Sequence, residues 1–269
     1  MTFSPTRLLR ATCLLVVVAV TVGFVSAITT ATARKPKKLL VVTVTKGFRH
    51  QSLPTAEKVL QALGEQSRDF SVDYVRTDEE MRTKMTPAAL KEYDGVVFAS
   101  TTGDLPLPDR EGFLDWIRAG HAFIGIHAAA DTFHNYPPYI EMINGEFKTH
   151  GPQVSVDCIV EDAKHPATKG LSSPKTVFDE IYVLKNFDRN KVHMLLSLDK
   201  NPDQKDPNYN KPEYHPIAWT RMYGKGRVFY TALGHREDVL EADWYKQHLL
   251  GGIRWALNQA KGDAKPQKR

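Results

Sequence analysis

The sequence AFIGIHAAAD at residues 122–131 predicts a buried β-strand that turns sharply into a helix. Its apolar run ends at Gly125 and at a lone histidine, His127, after which three alanines lead to Asp131. The carboxyl end of a central strand borders the ligand crevice in doubly wound α/β sheets, so His127 is placed for chemistry. If an α-helix begins just after it, Asp131 at i+4 lies on the same face and could orient or charge the imidazole. The alternative is a hydrogen-bonded histidine that only caps the strand end.

Three more strands precede this stretch, and helical patterns separate the four. Residues 39–44 and 95–99 are apolar runs typical of parallel strands buried on both faces, whereas residues 70–75 alternate between apolar and polar. Apolar residues recur at helical spacing in the intervening segments, at positions 56–63, 87–93 and 109–119. Strands that alternate with helices predict a parallel sheet joined by right-handed crossovers.

The pattern changes after Pro137, where predicted strands follow one another with few helices between them. The remaining elements are strands at 154–160, 177–184, 192–198, 217–220 and 227–231, a loop at 201–214 and a helix at 249–257. The last two strands flank Gly224 and Gly226, a spacing typical of a hairpin. We therefore expect one domain, residues 38–259, whose parallel sheet continues into a mixed extension.

The N-terminus has the pattern of a signal peptide. Arg7 and Arg10 precede an apolar run at residues 14–25, and small residues suited to cleavage end at Ala27 and Ala33. This predicts a signal peptide over residues 1–33, a basic linker to residue 37, and an exported protein that is periplasmic or secreted. The alternative is an uncleaved segment that anchors the chain in the membrane, which would be its only membrane contact.

After cleavage Cys158 would be the only cysteine, so no intramolecular disulfide is expected and the fold must depend on its core. With no histidine beside it in the sequence, its thiol is interpreted as a small buried apolar group that function does not need.

The basic charge of the chain is concentrated at its ends. Ten of the 36 basic residues but only one of the 31 acidic residues lie before residue 39 or after residue 260. The body between them has 26 basic and 30 acidic residues, a net charge of −4. We therefore expect no nucleic-acid partner, and we interpret residues 260–269 as a flexible basic tail.

Polar residues follow the predicted strands at the points where the strands end. They are Arg49 and His50 after the first strand, Thr101, Thr102 and Asp104 after the third, His127 and Asp131 after the fourth, and His235 and Arg236 after the last. Because the carboxyl ends of parallel strands meet at one edge of a sheet, these side chains are expected to converge. His150 and the segment containing Asp179, Glu180 and Tyr182 are further candidates.

Convergence could also build a metal site, although the sequence contains no metal motif with tight spacing. His50, His127, His150 and His235 are the residues that would bind a zinc ion. The chain has no Gly-x-Ser-x-Gly motif and no glycine-rich phosphate loop after its first strand, which argues against a serine hydrolase and a nucleotide-binding protein.

Taken together, seven segments resemble the trehalose-utilisation (ThuA-like) family over roughly residues 38–259. They are Gly47–His50, Gly125–Asp131, Gly145–His150, Asp179–Tyr182, Ala218–Trp219, Gly224–Tyr230 and Leu233–His235. The resemblance implies a three-layer flavodoxin-like α/β fold of the class I glutamine amidotransferase type, whose nucleophile elbow would carry cysteine. His127 stands at that elbow and cannot form a thioester, so amidotransferase activity is expected to be absent.

The same resemblance implies the breakdown of disaccharides and glycosides through 3-keto sugars. We therefore expect a small-molecule sugar substrate and an enzyme that isomerises or cleaves a keto-glycoside, because a carbonyl makes the neighbouring C–H acidic. His127 would be the base, oriented by Asp131, with Glu180 as the alternative base. The residues left for substrate binding and for the developing oxyanion are Arg49, His50, Asp104, His150, Tyr182, His235 and Arg236. The rival hypothesis is a non-catalytic carbohydrate-binding or scaffold module on the same fold.

Overall fold

The computed structural model describes residues 1–2 and 35–267 of the 269-residue chain. The chain divides into two units, Met1–Ala33 and Arg34–Arg269, and every element below belongs to the second unit. The predicted signal peptide and its cleavage positions lie outside the described residues. In the described part of the chain, no helix combines the length and the apolar character needed to cross a membrane.

Strands and helices alternate through the first half of the domain, and strands dominate the second half. The strands are β1 Lys37–Val42, β2 Phe70–Val75, β3 Gly95–Ala99, β4 Ala122–Ile126, β5 Glu146–His150, β6 Val154–Val160, β7 Lys175–Asp179, β8 Tyr182–Lys185, β9 His193–Lys200, β10 Pro212–Tyr223 and β11 Gly226–Thr231. The α-helices are α1 Leu53–Ser67, α2 Asp78–Lys84, α3 Pro87–Leu90, α4 Arg110–Arg118, α5 Pro137–Ile143, α6 Glu237–Glu241 and α7 Asp243–Ala256. Two short 3₁₀ helices cover His127–Asp131 and Arg189–Lys191.

The main sheet has nine strands in the order β2-β1-β3-β4-β11-β10-β9-β6-β7. The first five in this order pair in parallel, and the other four pair antiparallel. β5 and β8 form a separate antiparallel pair. The predicted parallel sheet with a mixed extension is confirmed, and the carboxyl ends of β1, β3, β4 and β11 share one edge.

Helices cover both faces of the sheet because successive strand residues point to opposite sides. In β1, Leu39 and Val41 belong to one core, where they meet α1 and α7. Leu40 and Val42 belong to the other core, which α2, α3, α4 and α5 close. The domain therefore has three layers, as the family resemblance implies.

One predicted element differs from the structure, and three observed elements were not predicted. The expected strand at 177–184 is interrupted at Glu180 and Ile181, so that β7 joins the main sheet and β8 pairs with β5. β5, α2 and α5 are elements that the sequence analysis does not assign. A turn between two short strands leaves Glu180 at an irregular position, which bears on the site described below.

The C-terminal residues up to Gln267 make hydrogen bonds with the body of the domain. The indole N–H of Trp255 donates to the Gly262 carbonyl over 3.1 Å. The side-chain oxygen of Gln267 accepts from the Met194 backbone amide over 2.9 Å, and its amide group donates to the Met194 carbonyl over 3.2 Å. Backbone groups at the start of β9 need partners, and the tail supplies them.

Candidate functional site

His127 occupies a strained turn directly after β4. Its φ is 47°, in the left-handed region that non-glycine residues rarely adopt, and the 3₁₀ helix begins at the same residue. A Cβ added at Gly125 would lie 2.9 Å from the Tyr230 ring and 3.2 Å from Ala129, so only glycine fits two residues before the turn. Such strain persists where the surrounding packing holds it, and it is concentrated at functional sites.

The imidazole of His127 is fully buried and has one defined tautomer. Its Nδ1 lies 2.8 Å from the carbonyl oxygen of Ala232, in the chain that leaves β11. A carbonyl only accepts hydrogen bonds, so Nδ1 carries the proton and Nε2 presents its lone pair. The hydroxyl of Tyr230 donates to the His127 carbonyl over 2.8 Å, which holds the turn from the other side.

Three side-chain atoms form a nearly equilateral triangle beside this lone pair. His127 Nε2 lies 3.3 Å from His235 Nδ1 and 3.5 Å from Glu180 Oε1, and the third side, from His235 Nδ1 to Glu180 Oε1, is 3.3 Å. His50 completes the group: its ring lies edge-on to those of His127 and His235, with centroid distances of 4.9 and 5.2 Å. One ligand atom from each of the four residues lies within 4.8 Å of the others, and we call these residues the histidine–glutamate cluster.

The histidine–glutamate cluster fits a divalent metal ion. A tetrahedral zinc site with Zn–N bonds of about 2.0–2.1 Å has ligand atoms about 3.3–3.4 Å apart, which matches the triangle. Three imidazoles and one carboxylate form a donor set that zinc and neighbouring transition metals accept. The His127–Ala232 hydrogen bond is the second contact that metal-bound histidines usually make. Nδ1 of His50 is buried without a hydrogen-bond partner among the described residues, so this cluster holds an unsatisfied nitrogen.

Electrostatics keeps two of the four ligand groups, His50 and Glu180, in the forms that bind metals. The pKa of His235 is raised instead, because burial is outweighed by its hydrogen bond to Glu180 and by the charge of that carboxylate. Burial, followed by the charges of His127 and His235, lowers the pKa of His50 to about 3, so its ring is neutral at physiological pH. Burial alone would raise the pKa of Glu180, but its contacts with His127 and His235 outweigh burial and hold it well below its ordinary value. Metal ligands must be a neutral imidazole or an ionised carboxylate.

His150 lies beside this cluster rather than inside it. Its Nδ1 is 3.0 Å from the other carboxylate oxygen of Glu180, Oε2. The hypothesis of four histidine ligands is therefore corrected at one position, where Glu180 replaces His150. The reason is that β5 pairs with β8 outside the main sheet, so His150 lies opposite Tyr182 and does not follow one of the parallel strands. The ring of Tyr182 packs against that of His127, with centroids 4.2 Å apart, and forms one side of the site.

Asp131 does not orient His127, which corrects the predicted pairing. The segment is a 3₁₀ helix with about three residues per turn, so i+4 falls about 120° away from residue i. Asp131 instead contacts His134, with 2.6 Å between Oδ1 and Nε2, and His134 Nδ1 lies 2.8 Å from Glu146 Oε1. His134 was missed in the sequence: it follows the 3₁₀ helix, after an extended Thr132 and Phe133 at a φ of 56°, and no spacing rule predicts its contact with Asp131.

The Asp131–His134–Glu146 chain has shifted proton affinities. Burial raises the pKa of Asp131. Burial works against a charge on His134, but hydrogen bonds to Glu146 and Asp131 outweigh it and raise the His134 pKa. An imidazole between two carboxylates can pass protons between them.

Asp179 holds the loop that carries His235. Its carboxylate is buried and accepts from the backbone amides of Gly234 over 2.7 Å and Arg236 over 3.2 Å. Because Glu180 is the next residue, one short segment supplies a cluster member and anchors another. The sequence analysis singled out the acidic pair but did not separate these two roles.

The other predicted binding residues fall into two groups. Arg49, His235 and Arg236 line a cavity of about 600 Å³ that opens beside the histidine–glutamate cluster. Arg236 also bonds the Asp238 carboxylate over 2.8 and 2.9 Å. Asp104 is not brought into this cluster: it pairs with Arg110 over 2.7 Å at an exposed position.

Cys158 is buried in β6, and burial raises its pKa to about 12.

Comparison with known proteins identifies relatives of the whole domain. The family model for ThuA, described as trehalose utilisation, matches residues 38–256. Among curated proteins no match was found.

Solved structures with the same fold come from several bacteria. A ThuA-like protein from Parabacteroides merdae is 22% identical with a TM-score of 0.70, over 87% of this chain and 93% of its own. One from Bacteroides uniformis is 21% identical with a TM-score of 0.63, over 83% and 93%. A protein of Salmonella typhimurium LT2, described as cytoplasmic, is 16% identical with a TM-score of 0.58, over 81% and 99%.

Proposed function

The chain belongs to the ThuA trehalose-utilisation family, which implies a carbohydrate-related role, and we propose that it is an enzyme acting on a sugar next to a carbonyl carbon. Its substrate is a keto-glycoside, and the reaction is isomerisation or cleavage through an enolate. Both reactions need a group that stabilises negative charge on the carbonyl oxygen and a group that accepts a proton from the neighbouring carbon.

The observation that carries the proposal is the triangle formed by His127 Nε2, His235 Nδ1 and Glu180 Oε1, with sides of 3.3, 3.3 and 3.5 Å. Three metal-ligand atoms at this spacing, with a nitrogen of His50 as the fourth, are arranged to hold a divalent ion. Such an ion would act as a Lewis acid toward a sugar oxygen. Other residues hold the ligand side chains in place. The Ala232 carbonyl orients His127, Asp179 positions the loop of His235, and His150 contacts Oε2 of Glu180, the oxygen outside the triangle.

The proton acceptor in this scheme is Asp131. With the lone pair of His127 directed into the histidine–glutamate cluster, Asp131 takes the role that the sequence analysis assigned to His127. Its carboxylate accepts the proton, the electrons of the C–H bond form the C=C bond of the enolate, and the carbonyl oxygen takes the charge. Return of the proton to the former carbonyl carbon, with transfer of the α-hydroxyl proton to the former carbonyl oxygen, completes an isomerisation. Expulsion of a β-oxygen substituent, which takes the proton held by Asp131 and leaves an enone, completes a cleavage. His134 and Glu146 are positioning residues that hold Asp131 from behind.

The test combines metal analysis with turnover. Purified protein should contain about one divalent ion per chain, and His235→Ala should lose both the ion and turnover of keto-glycosides. His121→Ala is the matched control, because His121 precedes β4 at the opposite end of the strand from His127 and should keep both. Metal-free protein that stays metal-free after incubation with zinc, and that releases no product from keto-glycosides, would contradict the proposal. Sugar binding without turnover would instead favour the non-catalytic module.

We also infer that the protein is exported. The support is the N-terminal sequence alone, where two arginines, an apolar run and small residues occur in the order of a signal peptide. The Salmonella structure is described as a cytoplasmic protein, so likeness of fold does not assign the compartment.

A further inference from the structure

The cavity beside the histidine–glutamate cluster has one aromatic wall. Phe48 lines it and is 65% exposed, although it is a large apolar side chain. Its ring packs edge-on against the His50 ring, with centroids 4.9 Å apart, so the aromatic surface begins where this cluster ends. His235 belongs to both the cavity and the cluster. A ligand that fills this cavity therefore begins beside the histidine–glutamate cluster, where the proposed reaction takes place.

The loop that presents Phe48 is held by Thr102, which follows β3. The Thr102 hydroxyl donates to the Phe48 carbonyl over 2.9 Å and accepts from the Gly47 amide over 3.1 Å. The Lys46 amide donates to the Thr102 carbonyl over 2.8 Å. Three bonds to a buried threonine fix the backbone under an exposed ring. A preformed aromatic surface of this kind costs little entropy when a ligand binds it.

One residue that lines the same cavity has an unsatisfied polar group. Ser52 lines it, is only 2% exposed, and its hydroxyl has no hydrogen-bond partner among the described residues. Ser52 is also the N-cap residue of α1, a 15-residue helix, yet its side chain caps no backbone amide. A buried hydroxyl without a partner is costly, and a ligand hydroxyl would satisfy it. Arg49 and Gln153 add further donors at the rim.

The charges around the cavity favour a neutral ligand. Two arginines, Arg49 and Arg236, are balanced by two carboxylates, Glu237 and Asp238, and Arg236 is already paired with Asp238. An anionic group such as phosphate would meet both signs. A sugar ring, in contrast, has an apolar face that can stack on an aromatic ring and hydroxyls that take hydrogen bonds from a polar rim.

We propose that this cavity is the subsite for the second ring of a disaccharide or glycoside, with its apolar face on Phe48 and a hydroxyl bonded to Ser52. The volume of about 600 Å³ lies within the range of small-molecule pockets, about 300–1,000 Å³. The assignment rests on the proposed function for the position of the reacting ring, but binding of the second ring requires neither a metal ion nor turnover.

The experiment measures binding of unoxidised trehalose, maltose and glucose to the full protein by calorimetry, with and without chelator. Phe48→Ala should weaken disaccharide binding about tenfold and leave glucose binding unchanged, and Ser52→Ala should weaken it severalfold. Truncation of an exposed ring removes few core contacts, so folding is preserved. Tyr209→Ala, an aromatic residue that is 43% exposed and lines a different groove, is the control and should bind disaccharides normally.

Equal disaccharide affinity in wild type, Phe48→Ala and Ser52→Ala would overturn the subsite, and so would binding of inorganic phosphate that competes with trehalose. A protein without metal or turnover whose disaccharide affinity still depends on Phe48 would retain the subsite and refute the proposed function. Normal turnover of keto-glycosides with no effect of either substitution on KM would retain the proposed function and refute the subsite.

Discussion

His127 Nε2 lies 3.3 Å from His235 Nδ1, although the two residues are 108 positions apart in the chain. Their strands, β4 and β11, are parallel neighbours, and Ile126 pairs with Thr231 in the last register position. His127 directly follows one strand end, and His235 lies in the loop after the other. The contact is therefore a consequence of sheet order: two strands that are far apart in sequence end side by side and deliver their next polar residues to one point.

His127→Ala should lose stability as well as activity. The position at a strand end alone predicts little cost, but the imidazole is fully buried and donates to the Ala232 carbonyl. Truncation leaves that carbonyl without its partner, which costs about 1–3 kcal/mol in the free energy of unfolding. Denaturant titration should show the loss. His235→Ala, at a less buried position, should lose activity with a smaller effect, and equal stability of both variants and wild type would contradict this account.

Cys158→Ala should leave turnover unchanged. The thiol is buried in β6 and takes no part in the histidine–glutamate cluster, and its pKa of about 12 keeps it protonated at physiological pH. We expect a stability loss of about 1 kcal/mol from the small volume removed. Native protein should also resist iodoacetamide. A folded Cys158→Ala protein without activity would show that the chemistry includes this residue.

Sequence reasoning found the parts of the site that follow the sheet rule and missed the others. His50, His127 and His235 each come shortly after a parallel strand, so their convergence could be predicted without knowing any distance. Glu180 lies between β7 and β8 in the antiparallel region, where strand order cannot be read from the periodicity of apolar residues. Glu180 was therefore assigned as an alternative base, and His150 took its place among the ligands.

The pairing of Asp131 failed for a different physical reason. Alanines after a strand predict a helix but do not distinguish a 3₁₀ helix from an α-helix, and the two place i+3 and i+4 on different faces. With α-helical spacing Asp131 would face His127, whereas the 3₁₀ helix turns it away. The chain then leaves the helix through an extended Thr132 and a left-handed Phe133, which brings His134 to Asp131. The fold itself was accessible because buried apolar runs alternating with helical patterns admit few topologies.

The exported protein should begin after Ala27 or Ala33. Both alanines close a pattern of small residues after the apolar run, which is the feature signal peptidases cleave. N-terminal sequencing of protein from the periplasm or the culture medium gives the answer directly. A chain that still starts near Met1 and sediments with membranes would support the anchor.

Asp131→Asn should abolish exchange of the α-hydrogen of a keto-glycoside while leaving metal content unchanged. The amide keeps the shape of the side chain but cannot accept a proton, and loss of a general base costs about 10²–10⁴ in rate. Exchange in heavy water, followed by NMR, isolates this step from later cleavage. Wild-type exchange rates in Asp131→Asn, together with loss of exchange in His127→Asn that retains its metal, would return the base role to His127.

The stability of the protein should depend on pH through His134. Hydrogen bonds to Glu146 and Asp131 raise its pKa in the folded state above the ordinary value of about 6.5. A raised pKa means that the folded state binds the proton more tightly, so this contribution is complete below the unfolded pKa and declines as the pH rises through the folded one. The melting temperature of wild type should therefore be higher than that of His134→Gln. The difference should be largest near pH 6 and should shrink toward pH 9. The variant should also show slower α-hydrogen exchange with unchanged metal content, because Asp131 loses the group that positions it. A melting-temperature difference that stays constant from pH 6 to pH 9 would mean that His134 contributes through packing, without a charge between its two carboxylates.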